Sequence, residues 1–154
     1  MLAPGETFSA AYPATPGAVI AARNALTEFA REAGASEERL QAVRLAASEA
    51  ITNAVLHAYE HPEDRQVQIS ASYVEDELWV LVGDAGRGMR PRANSPGLGL
   101  GLALIAQLAD DFQILSRGSE GTELRMRFTL SAERPDAVPG AGGSARHGCQ
   151  LIAR

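Results

Sequence analysis

The sequence predicts an α/β fold: a two-layer sandwich in which a mixed, mostly antiparallel sheet carries three main helices on one face. Three observations predict it. Residues 66–83 and 112–130 each read as two strands around a short polar turn, which makes two hairpins. A helical segment precedes each hairpin. The longest of these segments has one broad apolar face, which needs a sheet or another helix to cover it.

Residues 6–12 roughly alternate and suit an edge strand. Thr15 and Pro16 read as N-cap and first residue of a helix that runs to Ala33 and stops at Gly34. Ser36 caps a second helix, with Glu37 and Glu38 in its first turn, where the helix dipole favours acids. This helix reaches about Ala58. Residues 61–64, His-Pro-Glu-Asp, break the chain. The first hairpin pairs 66–74 with 77–83 around Glu75 and Asp76. A polar loop over 84–97 leads to a third helix over 98–109. The second hairpin pairs 112–116 with 122–130 around 118–121. The expected domain is 1–131. From Ala132 on, Pro, Gly and Ser break every period, so 132–154 reads as a flexible tail.

Composition excludes several function classes. The chain has 154 residues and a formal net charge of -5, which argues against a nucleic-acid or anionic-membrane surface. A single cysteine, Cys149, permits neither an intrachain disulfide nor a multi-cysteine zinc site. The start, Met1-Leu2-Ala3-Pro4-Gly5, has no basic or apolar signal region, and the apolar stretch 97–109 is too short to span a bilayer. The expected location is the cytoplasm. All 14 basic residues are arginine. Without lysine there is no P-loop, no eukaryotic-type protein kinase and no lysine Schiff base.

At about 100° per residue, Leu40, Val43, Ala47, Ala50, Ile51, Ala54 and Val55 form one face of the second helix. Glu49, Asn53 and His57 stand at i, i+4 and i+8 as one stripe along the border of that face. Leu45 and Leu56 border the stripe on its other side, and no arginine of the helix lies within reach along it. A buried carboxylate costs several kcal/mol unless compensated. A metal ion or a transferable proton can compensate it. Taken alone, the stripe would be a solvated helix flank.

Two glycine-rich segments follow. The apolar strand 78–82 leads into Gly83-Asp84-Ala85-Gly86-Arg87-Gly88-Met89. A strand-end Asp can accept from an exocyclic amine, and glycines beside it let a flat ring approach the backbone. Alone, this would be a turn. Then Gly97-Leu98-Gly99-Leu100-Gly101 runs straight into an apolar helix. Bare N–H groups at a helix start bind phosphate, whereas glycines inside a helix cost about 1 kcal/mol each. The alternative is a hinge. The fourth piece, Gly121-Thr122, opens an alternating strand.

These four pieces in this order resemble the Bergerat-fold, histidine-kinase-like ATPases, and within them the anti-sigma factor serine/threonine kinases. The resemblance covers roughly residues 40–130 and is closest over 49–59, Glu-Ala-Ile-Thr-Asn-Ala-Val-Leu-His-Ala-Tyr. It implies ATP and Mg2+ as cofactors, with Glu49 as the general base and Asn53 as the Mg ligand that also orients the phosphates. It implies Asp84 as the adenine acceptor, Thr122 as its support, and Gly86 and Gly88 beside base and ribose. Gly97, Gly99 and Gly101 match the lid over the phosphates. The lid is short here: only Arg90 to Pro96 separate Met89 from Gly97. Arg87, Arg90 and Arg92 are available as phosphate partners or as solvated loop charge.

The expected partners are a sigma factor and an anti-anti-sigma protein of the STAS type, phosphorylated on Ser or Thr, with room for a homodimer and with no nucleic acid or membrane. An ATP-binding anti-sigma or regulatory module without significant kinase activity is the alternative. The catalytic half of a histidine kinase is weakened by the histidine count. His57, His61 and His147 are the only three, and none lies in an upstream dimerisation helix.

Overall fold

The computed structural model describes residues 2–58, 65–84, 98–116 and 121–131, with only the backbone described at 57, 58, 98–100 and 116. The expected breaker at 61–64, most of the loop over 84–97 and the expected tail 132–154 lie outside the described residues.

Strand β1 (Thr7–Pro13) leads into helix α1 (Pro16–Glu32). The Thr15 hydroxyl accepts from the Ala18 N–H at 3.4 Å, and Pro16 needs no partner in the first turn. Gly34, at φ 91°, ends the helix in a left-handed turn that L side chains avoid. Its N–H donates to Arg31 O at 3.0 Å, and the Ala35 N–H donates to Ala30 O at 3.1 Å. Helix α2 (Glu37–Ala58) opens on Ser36, whose Oγ accepts from the Arg39 N–H at 3.3 Å. Its far end is the expected one.

Strands β2 (Gln66–Val74) and β3 (Glu77–Asp84) form the first hairpin. Its two turn residues, Glu75 and Asp76, have φ of 48° and 69°, the signs that a tight turn between right-twisted strands demands. The turn is tied to the end of the sheet. Asp76 O accepts from the Leu130 N–H at 2.9 Å, and the Asp76 carboxylate accepts from the Ser131 N–H at 3.2 Å and from its hydroxyl. Helix α3 (Leu98–Leu108), β4 (Asp111–Ser116) and β5 (Thr122–Thr129) complete the elements among the described residues.

The five strands lie in the order β1-β2-β3-β5-β4. All four pairings are antiparallel, so the expected mixed sheet is narrowed to an antiparallel one. The reason is topological. The crossover from β3 through α3 to β4 would make a parallel pair, but it skips one position. Strand β5 returns by a hairpin and fills the gap.

One core lies between the layers. Helix α2 packs over β2, β3 and β5; α1 packs on α2 and β1; α3 packs on α2 and β4. Alternate strand residues feed this core: Val67, Ile69 and Ala71; Leu78, Val80 and Val82; Leu124, Met126 and Phe128. Burying each large apolar side chain contributes about 1.5–3 kcal/mol. The seven residues expected on the apolar face of α2 are all buried. On the other face of the sheet, Arg127 lies 5.9 Å from the Trp79 ring centroid and donates to Glu77 Oε1 at 2.7 Å. That hydrogen bond, with the charges of Glu77, Asp111 and Asp110, raises the Arg127 guanidinium above its ordinary value against the opposing cost of desolvation. Arg39 and Asp110, 3.3 Å apart, tie the start of α2 to the turn between α3 and β4. Among the described residues, no helix is long and apolar enough to cross a membrane.

Candidate functional site

The site has a helix-borne half and a strand-borne half. On α2, helical spacing puts Glu49 and Asn53 one turn apart on the border of the buried face. Asn53 is 8% exposed and Glu49 is half-buried, so the pair is not a solvated flank. Leu45 and Leu56, on the outer side of the stripe, are 47% and 58% exposed. The two polar heads thus stand where the core meets the surface.

Helix α3 closes against them. Gly101 is buried in its first turns. A Cβ added there would lie 3.0 Å from Glu49 Oε2, 3.3 Å from Asn53 Nδ2 and 3.8 Å from Asn53 Oδ1. The end of the glycine-rich segment therefore meets the Glu49 and Asn53 heads directly. This grouping offers a carboxylate that can take a proton and an amide that can both donate and accept, next to the start of a helix.

The strand-borne half lies at the end of β3. The sequence places Asp84 first in a loop, but the ladder carries it one residue further. Asp84 faces Val67 of β2 on one side and Thr122 of β5 on the other. It is 7% exposed and Thr122 is 2% exposed. Alternation gives Asp84 the parity of Leu78, Val80 and Val82, and Thr122 that of Leu124, Met126 and Phe128, so both belong to the helix-covered side. Gly121, immediately before Thr122, has φ 107°, a backbone conformation that a side chain would strain.

The structure thus brings Glu49, Asn53 and Gly101 into one group and makes Asp84 and Thr122 register partners. Gly99 lies in the first turn of α3. Gly86, Gly88 and Gly97, with Arg87, Arg90 and Arg92, lie outside the described residues; His57 is on α2 with its side chain outside them. Glu123 is a buried carboxylate that the sequence reading passed over. It pairs loosely with Arg125, at 4.0 Å, and faces Gly83 and Leu115 across the ladder. Its parity puts it on the opposite side of the sheet from Asp84. The only signal for it is one acid in an alternating strand.

A magnesium ion fits the helix-borne half in the way that ion is usually held. Among the described residues, no group of three or more His, Cys, Asp or Glu side chains forms a protein cage. Mg2+ commonly takes only one or two protein oxygens and completes its shell with substrate phosphates and water. The Asn53 amide oxygen, beside the Glu49 carboxylate, is a hard donor of that kind.

Comparison with known proteins gives the family. An anti-sigma F factor of Clostridium perfringens is 31% identical over 121 residues, covering 71% of this chain and 86% of that protein. A serine-protein kinase RsbW of Oceanobacillus iheyensis is 33% identical over 139 residues, covering 80% of this chain and 87% of its own. A third relative, the serine-protein kinase RsbW of Listeria innocua, is 33% identical over 117 residues, covering 66% of this chain and 74% of that protein. Among solved structures, the RsbU and RsbW domains of Rv1364c from Mycobacterium tuberculosis share the fold with a TM-score of 0.66 at 24% identity, over 81% of this chain and 32% of that one. The family model for the histidine kinase-like ATPase domain matches residues 12–128, from the end of β1 to the end of β5, and the chain belongs to that family.

Proposed function

We propose that this chain is an ATP-dependent protein serine/threonine kinase that acts as an anti-sigma regulator, restraining a sigma factor and phosphorylating a STAS-type anti-anti-sigma partner. The observation that carries the reading is the contact of Glu49 and Asn53 with the backbone at Gly101, where a glycine-rich segment becomes helix α3. The identity to two named serine-protein kinases supports it.

In this reading Asp84 accepts a hydrogen bond from the adenine amino group, and Thr122 supports Asp84 from the neighbouring strand. Gly86 and Gly88 lie along base and ribose, and Gly97, Gly99 and Gly101 belong to the lid over the phosphates. Asn53 would hold Mg2+, which when bound neutralises phosphate charge. Glu49 takes the proton from the partner's hydroxyl as its oxygen bonds to the γ-phosphorus, and the bond from that phosphorus to the bridging oxygen of ADP breaks. The protein contributes mainly position and charge. A cytoplasmic location and compatibility with a homodimer go with this reading.

The test is incubation with labelled ATP, Mg2+ and candidate partner proteins, followed by acid and base treatment of the product. Phosphoserine survives acid and phosphohistidine does not. Glu49→Gln keeps shape but cannot take the proton, so transfer should fall by about 10²–10⁴-fold with ATP affinity little changed. Transfer at the original rate in that variant removes Glu49 as the base. A chain that binds ATP and the sigma factor but labels no partner is instead a regulatory module without kinase activity.

A further inference from the structure

Gly101 has a neighbourhood unlike that of Gly5, Gly17, Gly34 and Gly83. A Cβ at Gly5, Gly17 or Gly34 would meet nothing within 4 Å, and one at Gly83 would make only ordinary contacts from 3.9 Å outward. At Gly101 the nearest atoms would be 3.0 Å and 3.3 Å away, and both belong to the polar heads of Glu49 and Asn53. Its φ lies outside the left-handed region, so backbone freedom is not what glycine supplies there. Alanine would favour the helix at this position. The space that the missing side chain leaves is taken up by the heads of Glu49 and Asn53.

A methyl group at 3.0 Å from an oxygen is too close, so something must yield by a few tenths of an ångström. Asn53 is buried and has little room. Glu49 is half-buried on a longer side chain and would yield first. We propose that Gly101 is a positioning residue for phosphoryl transfer: by lacking a side chain it lets the first turns of α3 set where the Glu49 carboxylate and the Asn53 amide stand. The proposal rests on the kinase reading above for its catalytic consequence. It gives Gly101 a task distinct from wrapping phosphates, since it acts through Glu49 and Asn53.

The experiment is a double-variant cycle on the full chain. Gly101→Ala should lower kcat for transfer by about 10–100-fold, because small misplacements of a reacting group are costly. The KM for ATP should change clearly less than kcat, since the adenine contacts are untouched. The thermal midpoint should hold or rise, as alanine suits a helix. In a Glu49→Gln background, Gly101→Ala should cost clearly less than in the unaltered chain, since the base it displaces is already gone. Multiplicative losses, or a KM effect that matches the kcat effect, would overturn the proposal. A second measurement does not depend on kinase activity. In the free protein, Gly101→Ala should shift the NMR signals of the Asn53 side-chain amide and of the Glu49 side-chain methylene groups. If both stay in place, Gly101 sets neither head, whatever the chain phosphorylates. If they move while the unaltered chain labels no partner, the kinase reading fails and the positioning stands. Should Gly101→Ala fail to fold, Glu49→Ala should restore folding by making room. Failure of that pair too would show that some other contact limits the space.

Discussion

The strand-borne and helix-borne halves of the site are held by different means. Asp84 and Thr122 are register partners inside one antiparallel ladder, so the backbone pairing itself sets where they stand. Glu49 and Asn53 share a helix, and what lies against them is a second helix with no side chain at the point of contact. A ladder tolerates change in neighbouring side chains because its hydrogen bonds are made by the main chain. A helix pair meeting at a glycine has no such tolerance. The strand half is therefore expected to be stable and binding-related, and the helix half finely adjusted and rate-related.

The largest effect expected on binding tests the strand half. In the proposed reading, Asp84→Asn replaces the acceptor of the adenine amino group with an amide. Losing a hydrogen bond to a charged group costs about 1.5–3 kcal/mol, so the Kd for ATP, ADP and adenosine should rise about 10–100-fold in calorimetry. Equal loss for adenosine and ATP keeps the two halves separate. Loss for ATP alone would put Asp84 on the phosphates and end the comparison.

The next effect tests the helix half. If Asn53 is the proposed oxygen donor for Mg2+, Asn53→Ala should leave ATP affinity unresponsive to Mg2+, while adenosine binds as before. The expected change is about tenfold in the Mg2+-dependent part of ATP affinity, near the value of one charge-assisted contact. Titrations of ATP with and without Mg2+ read it directly. An unchanged response places the metal on other groups.

The smallest effect probes the far end of β3. Glu75, at φ 48°, occupies a conformation that costs a non-glycine residue about 1–3 kcal/mol, and asparagine tolerates it better. Glu75→Asn should stabilise the fold by about 0.5 kcal/mol, read as a small rise in thermal midpoint. Nucleotide affinity should not move, because the turn lies at the opposite end of the strand from Asp84. A shift in affinity would mean that the ladder transmits strain along its length.

These differences were unequally legible in the sequence. Thr15, Pro16, Gly34 and Ser36 mark the helix ends through local chemistry, and each performs that task in the structure. The i, i+4 spacing reveals Glu49 and Asn53 as a pair, because helical geometry is local. The ladder position of Asp84 was less legible, since it depends on a partner strand whose Thr122 lies far along the chain. The antiparallel character of every pairing was hidden for the same reason: it follows from β5 entering between β3 and β4. The contact at Gly101 was least legible. A glycine between leucines signals phosphate binding first and a hinge second, and its closeness to Glu49 and Asn53 depends on how α2 meets α3.

The late arrival of β5 has a consequence for synthesis. In synthesis β2 and β3 precede β5, and until β5 has emerged the side of β3 that it covers is a bare strand edge. That edge runs through Leu78, Val80 and Val82 and ends at Asp84, an apolar row open to pairing with another nascent chain. Partial chains that stop before β5 should accordingly be the sticky ones. The carboxylate at Asp84 acquires its strand partner Thr122 only when the last element of the sheet is in place.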